Sequence, residues 1–172
     1  MRTKKQEELL NSFLSTLGDE LGGVYREIAD YLSELGYNPR KEHSSLSFKH
    51  TKHNKQIAKM GTRNDKIRSP FFALRFSACR GYSERFADVV RENIVKYPKK
   101  SANCIVDTCG WCAGKPGTHV YTYKFPDGET RSHCGAYALE IPFVARGDVD
   151  EIKKLINEEH EYLLKNEVGR VE

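Results

Sequence analysis

Phe71-Phe72-Ala73-Leu74-Arg75-Phe76-Ser77-Ala78 is the most apolar stretch of the chain and decides its fold class. Eight residues rich in Phe suit a buried strand, and Phe72, Leu74 and Phe76 fall on one face at a period of two. Upstream, Leu46, Phe48 and His50 alternate with Ser47, Lys49 and Thr51, which reads as a half-buried strand. His53-Asn54 suits a turn, Gln56 to Thr62 a partner strand, and Asn64 to Pro70 a polar loop. Consecutive strands of this kind favour an antiparallel sheet over a parallel one.

Helical periodicity flanks these strands. Leu9, Leu10, Phe13, Leu14 and Leu17 predict a helix over residues 5–17, ended by Gly18. Val24, Ile28, Leu32 and Leu35 predict a second over Gly23 to Leu35. Gly36 supplies its left-handed terminus, and Pro39 bars continuation. After the apolar strand, Ser83 is placed to cap a helix whose stripe is Phe86, Val89, Val90, Ile94 and Tyr97, with Pro98 as its stop. The last helix opens on Asp148 and Glu151 as a capping pair, with Val149, Ile152, Leu155, Ile156 and Leu163 as its stripe.

Between these helices lies a hairpin. Tyr121, Tyr123 and Phe125 lead into Pro126-Asp127-Gly128, a type I turn with glycine in the left-handed position. The aromatic side is expected to face Tyr137, Leu139 and Ile141. The whole reads as a single α+β domain over 1–172. Its parts are a helical pair (1–36), strands and a helix (44–98), a cysteine knuckle with a hairpin (104–142) and a C-terminal helix (148–166). About five antiparallel strands carry helices on one face.

Composition narrows the function classes. Of 172 residues, 38% are hydrophobic and 30% charged, as in an ordinary globular protein. No apolar run approaches the roughly 20 residues of a membrane span. The charged start, Met1 to Glu8, leads into no apolar segment, so no signal peptide and a cytoplasmic location are expected. The net charge of +4 is uneven. Arg40 to Arg68 holds nine Lys/Arg against Glu42 and Asp65, while Phe143 to Glu172 holds five against eight acidic residues. The basic segment, with His43, His50 and His53, is a candidate site for an anion, a nucleic acid or an acidic protein, and otherwise a polar strand face. His160 reads as a helix-surface histidine. Arg75 either lines a pocket for a carboxylate or phosphate, or stands on the sheet's open face.

The cysteines supply the sharpest motif. Cys109-Gly110-Trp111-Cys112 and His133-Cys134-Gly135 bracket the hairpin, whose arms have similar lengths. Small residues follow both pairs, leaving room for backbone N–H groups beside the sulfurs. Zinc takes about four ligands at tetrahedral corners, and thiolates bind it strongly. The region resembles a zinc-ribbon knuckle, which implies a structural zinc site on Cys109, Cys112 and Cys134. Cys104 is the favoured fourth ligand, ahead of Cys79 and His133. Five cysteines without a secretion signal favour metal or free thiols over disulfides. A redox dithiol is disfavoured, because Ala113-Gly114-Lys115-Pro116-Gly117 does not start a helix that would lower a thiol pKa. No nucleophile elbow, phosphate loop or dinucleotide fingerprint is present. The expectation is a zinc-stabilised binding or regulatory protein for a protein or small anionic partner. A thiol-redox or zinc-dependent enzyme and a nucleic-acid binder through residues 40–68 are the alternatives.

Overall fold

The computed structural model describes residues 2–64, 66, 68–75, 79, 81–97 and 120–165. Four α-helices and seven strands lie among them, in an α+β arrangement: α1 (Lys4–Leu14), α2 (Asp19–Glu34), β1 (Tyr37–Glu42), β2 (Ser45–His50), β3 (Gln56–Thr62), β4 (Pro70–Leu74), α3 (Glu84–Lys96), β5 (Val120–Lys124), β6 (Thr130–Cys134), β7 (Leu139–Ile141) and α4 (Val149–Lys165). The main sheet is antiparallel throughout, in the order β1-β2-β3-β4-β7. β5 and β6 form a separate two-stranded sheet.

The register explains the core. Leu46, Met60, Phe72 and Ile141 line up across the sheet in one row, and Phe48, Ala58, Leu74 and Leu139 in the next. All eight are buried. They join one hydrophobic cluster with Leu10 of α1, Ile28 and Leu32 of α2, Val90 and Ile94 of α3, and Leu155 and Ile156 of α4. Burying a side chain of this size contributes about 1.5–3 kcal/mol, so these rows hold helices and sheet together.

The expected strand Gln56 to Thr62 is β3, which occupies the middle of the sheet. The Phe71–Ala78 segment supplies β4, an interior strand beside it, with Phe72 and Leu74 fully buried. Phe76 to Ala78 lie outside the described residues. All five expected stripe residues of the last helix are buried in α4. Gly36 takes φ +89 after α2, and Gly128 takes φ +88 in the hairpin turn, as read from the sequence.

Other expectations are corrected. α2 begins at Asp19, four residues earlier than predicted, and carries Gly22 and Gly23 inside it. Asp19 and Glu20 stand in its first turn, where carboxylates favour the positive end of the helix dipole. β1 was not foreseen, because Pro39 reads as a breaker. β1 lies at the sheet edge, where a missing N–H is tolerated. Tyr97 is exposed past the end of α3 rather than in its stripe. Ser83 takes the capping position without a side-chain cap, and its N–H donates to Glu151 Oε1 at 2.6 Å. Glu151 therefore ties α4 to α3 instead of forming a box with Asp148. The hairpin register pairs Tyr121 with His133 and Tyr123 with Arg131, while Leu139 and Ile141 pair with β4. The hairpin is joined to the fold by α3, which packs against β5, β6 and β7.

Candidate functional site

Of the four predicted zinc ligands, Cys134 is placed and Cys104, Cys109 and Cys112 lie outside the described residues. Cys134 ends β6, half-buried, opposite Val120 at the start of β5. His133, its neighbour, alternates to the other side and is buried. Cys79 is buried far from solvent, and its thiol donates to Leu155 O of α4 at 3.2 Å. That bond holds Cys79 in the core beside α4. Among the described residues, no group of three or more His, Cys, Asp or Glu side chains is arranged to hold a metal ion.

A polar cluster that the sequence reading missed sits where β1, the end of β2 and α4 meet. Thr51 N–H donates to Gly36 O, and Asn54 N–H closes the following turn on His50 O, both at 3.0 Å. The turn folds His53 back over His50, with ring centroids 4.0 Å apart and planes 13° from parallel. His50 also fits into the space that Gly36 leaves: a Cβ there would meet His50 Nε2 at 2.9 Å. Tyr37 lies against all three histidine rings, His50, His53 and His160, with centroids 5.0, 5.9 and 5.5 Å away. Its hydroxyl is hydrogen-bonded to His160 Nδ1 at 3.1 Å. His160 is thus buried, not a surface residue.

Arg75 extends the cluster. A bulge in β3 leaves Ile57 as an extra residue between the pairs Phe48–Ala58 and Lys49–Gln56, and Arg75 N–H donates to Ile57 O at 2.8 Å. The guanidinium then reaches Glu159 of α4, Nε to Oε1 3.0 Å, with the glutamate side chain 0% exposed. Arg75 is thus buried in an internal ion pair, and neither lines an open pocket for a ligand nor stands on the sheet's open face.

Electrostatics keep the cluster neutral apart from this pair. Burial pushes the His53 imidazole down to about 4, helped by the neighbouring His50. Burial also lowers His50 and His160. The Tyr37 phenol is raised by burial and then by the Glu159 carboxylate. Stacked rings send their in-plane lone pairs along parallel planes, so His50 and His53 do not converge on a common ion. The arrangement is a buried polar latch between the N-terminal sheet and the C-terminal helix. Its sequence signal was present: Ile152, Leu155, Ile156, Glu159, His160 and Leu163 continue one helical stripe.

The basic segment is spread over β1–β3 and their turns. Pairing puts Arg40, Ser47 and Lys59 in one row, facing away from the hydrophobic rows, and Lys49 one row further along the same face. Lys59 pairs with Glu42 at 3.2 Å, and Arg63 with Glu140. Arg40 donates to Asn54 Oδ1 at 2.7 Å. Lys49 lies in the field of Glu42 and, with Lys59, helps hold that carboxyl below its ordinary range. His43 takes φ +52 in the β1–β2 turn, apart from the His50–His53 stack.

No protein-family model matches the chain, and neither curated proteins nor solved structures give a significant match to it. No described helix is long and apolar enough to cross a membrane.

Proposed function

We propose that the protein is a binding or regulatory module that takes an anionic partner on the outward face of β1–β3, its second half fastened by a structural zinc ion. The observation that carries the binding role is the set of cations Arg40, Lys49 and Lys59 on one sheet face, which outnumber the Glu42 carboxylate that Lys59 and Lys49 share. Cations on a rigid sheet lose little freedom when an anion docks. Replacing both Arg40 and Lys49 by glutamate tests this. Binding of heparin, a polyanionic probe, should be lost while the circular dichroism spectrum is unchanged. Retained binding would remove the site from this face. A steep fall in affinity with added salt is expected for the native chain.

The zinc reading is supported by Cys134 opposite Val120. Only seven residues lie between Cys112 and Val120, a tether of at most about 28 Å. A span of that length lets Cys112 turn back toward Cys134, and the reading takes Cys109 and Cys104 as the remaining ligands. In such a set the cysteines bind as thiolates, and the metal supplies folding energy rather than chemistry.

A further inference from the structure

The turn after β2 is built on the unprotonated edges of two histidine rings. Lys52 N–H and His53 N–H both donate to His50 Nδ1, at 3.3 and 3.5 Å. Lys55 N–H donates to His53 Nδ1 at 3.2 Å. A ring nitrogen that accepts a backbone N–H has no place for a proton of its own. Protonating either ring at Nδ1 therefore sets N–H against N–H and breaks the turn. Protonating both also puts two cationic rings face to face at 4.0 Å.

The charges around the rings do not offset this. Lys52 acts on His50, and Lys55 and Arg75 act on His53. β1 and α4 contribute the Tyr37 phenol and the His160 imidazole, which are hydrogen-bonded to each other. Of the α4 carboxylates, Glu159 is engaged by Arg75, and Glu161 acts on His160. The Leu35 backbone alone favours a charged His50, through a hydrogen bond to its ring. His50 ends β2, beyond the rows that carry the core, so the turn can open while the sheet stands.

The same turn holds a cation of the outward face. Asn54, at φ +58, accepts from Arg40 Nη1 through Oδ1 at 2.7 Å. Lys49, a second cation of that face, immediately precedes His50.

We propose that residues 51–55 are an acid-released clasp: protons taken up at Nδ1 of His50 and His53 open the turn, free Arg40 and strengthen anion binding on the outward face of β1–β3. The regulation rests on the reading of that face as the binding site. Two new positive charges then lie beside Arg40 and Lys49. By linkage, an anion that prefers the open, charged turn binds more tightly as protons are added.

An NMR titration of the full chain from about pH 7.5 to about pH 4.5 reads the clasp directly. The His50 and His53 ring signals should lose the mutual shift that stacking imposes. The amide signals of Lys52, His53 and Lys55 should move with them, while those of β3 and β4 hold. Heparin affinity should rise at least about tenfold between about pH 7.5 and about pH 5. His53→Gln should remove most of that rise. His43→Gln, at an exposed histidine of the same basic segment, should keep it. Rings that stay stacked at the acid end overturn the clasp, whatever heparin does. A clasp that opens with the same rise in His53→Gln as in the native chain overturns its regulatory role. A clasp that opens in a chain that binds heparin at no pH strikes the binding face itself, and the regulation with it.

Discussion

Glu159 is paired with the Arg75 guanidinium 3.0 Å away and has no exposure to water. Breaking a buried pair by removing one partner costs about 3–5 kcal/mol, whereas replacing both partners by apolar groups is often neutral. Glu159→Gln should therefore lose most of that amount in urea unfolding, and Arg75→Met combined with Glu159→Leu should recover much of it. The histidines beside the pair make stability depend on pH. An unfolded histidine takes up its proton near pH 6.5. The folded His53 resists until about pH 4, and His50 and His160 are shifted the same way. The unfolded chain thus binds more protons across that window, so stability falls as the pH drops from about 6.5 toward 4. Thermal midpoints should decline over this range, and His53→Gln should flatten the decline. A slope untouched by that variant would assign it to carboxylates instead. These residues were only partly legible in the sequence. Glu159 and His160 occupy stripe positions, but a charge there reads as surface until its partner is known, and Arg75 is 84 positions away.

Among the elements, local pattern was readable where one period dominates and misleading where a single residue type overrides it. α4, β3 and α3 follow from their apolar spacing. β1 did not, because Pro39 punctuates the sequence while its edge position absorbs the lost donor. The hairpin pairing was misread because Leu139 and Ile141 alternate as well as Thr130 to Cys134 does, and alternation does not say which ladder a strand joins. Two glycines test the element-level account in opposite directions. Gly61 in β3 is packed so closely that a Cβ would lie 2.8 Å from Ser45 Cβ and 2.9 Å from Phe71 Cε1. Gly61→Ala should destabilise by about 1–3 kcal/mol, read from chemical denaturation. Gly22, inside α2, meets only Leu14 O at 3.5 Å, so Gly22→Ala should stabilise by about 0.5–1 kcal/mol. The same exchange thus changes sign with its surroundings.

For the whole molecule, one hydrophobic cluster reaches from Leu10 to Leu163. The latch between Tyr37 and His160 and the bridge from Lys153 to Glu27, 2.7 Å, tie the last helix to the first third of the chain. The hairpin is the outlier, with two strands among the described residues, and such a pair is marginal without further support. If zinc supplies that support, the purified protein holds about one zinc per chain. Chelation should then raise amide exchange in β5 and β6 while β2, β3 and β4 stay protected. Uniform protection after chelation, or a Cys134→Ser variant of native stability, would remove the metal from the account. The knuckle was the clearest motif in the sequence, but spacing alone names ligands without placing them.

The edges of the main sheet bear on how the protein behaves at high concentration. An open strand edge is a template for the strand of another molecule, and from there for fibrils. Among the described residues one edge is β1, which interrupts its row of donors with Pro39 and follows it with Arg40, Lys41 and Glu42. The other is β7, three residues long with a glutamate at its centre. Neither offers a neutral, continuous ladder for a newcomer to extend. Backbone zippering between copies, which propagates without limit, is thereby disfavoured at both edges.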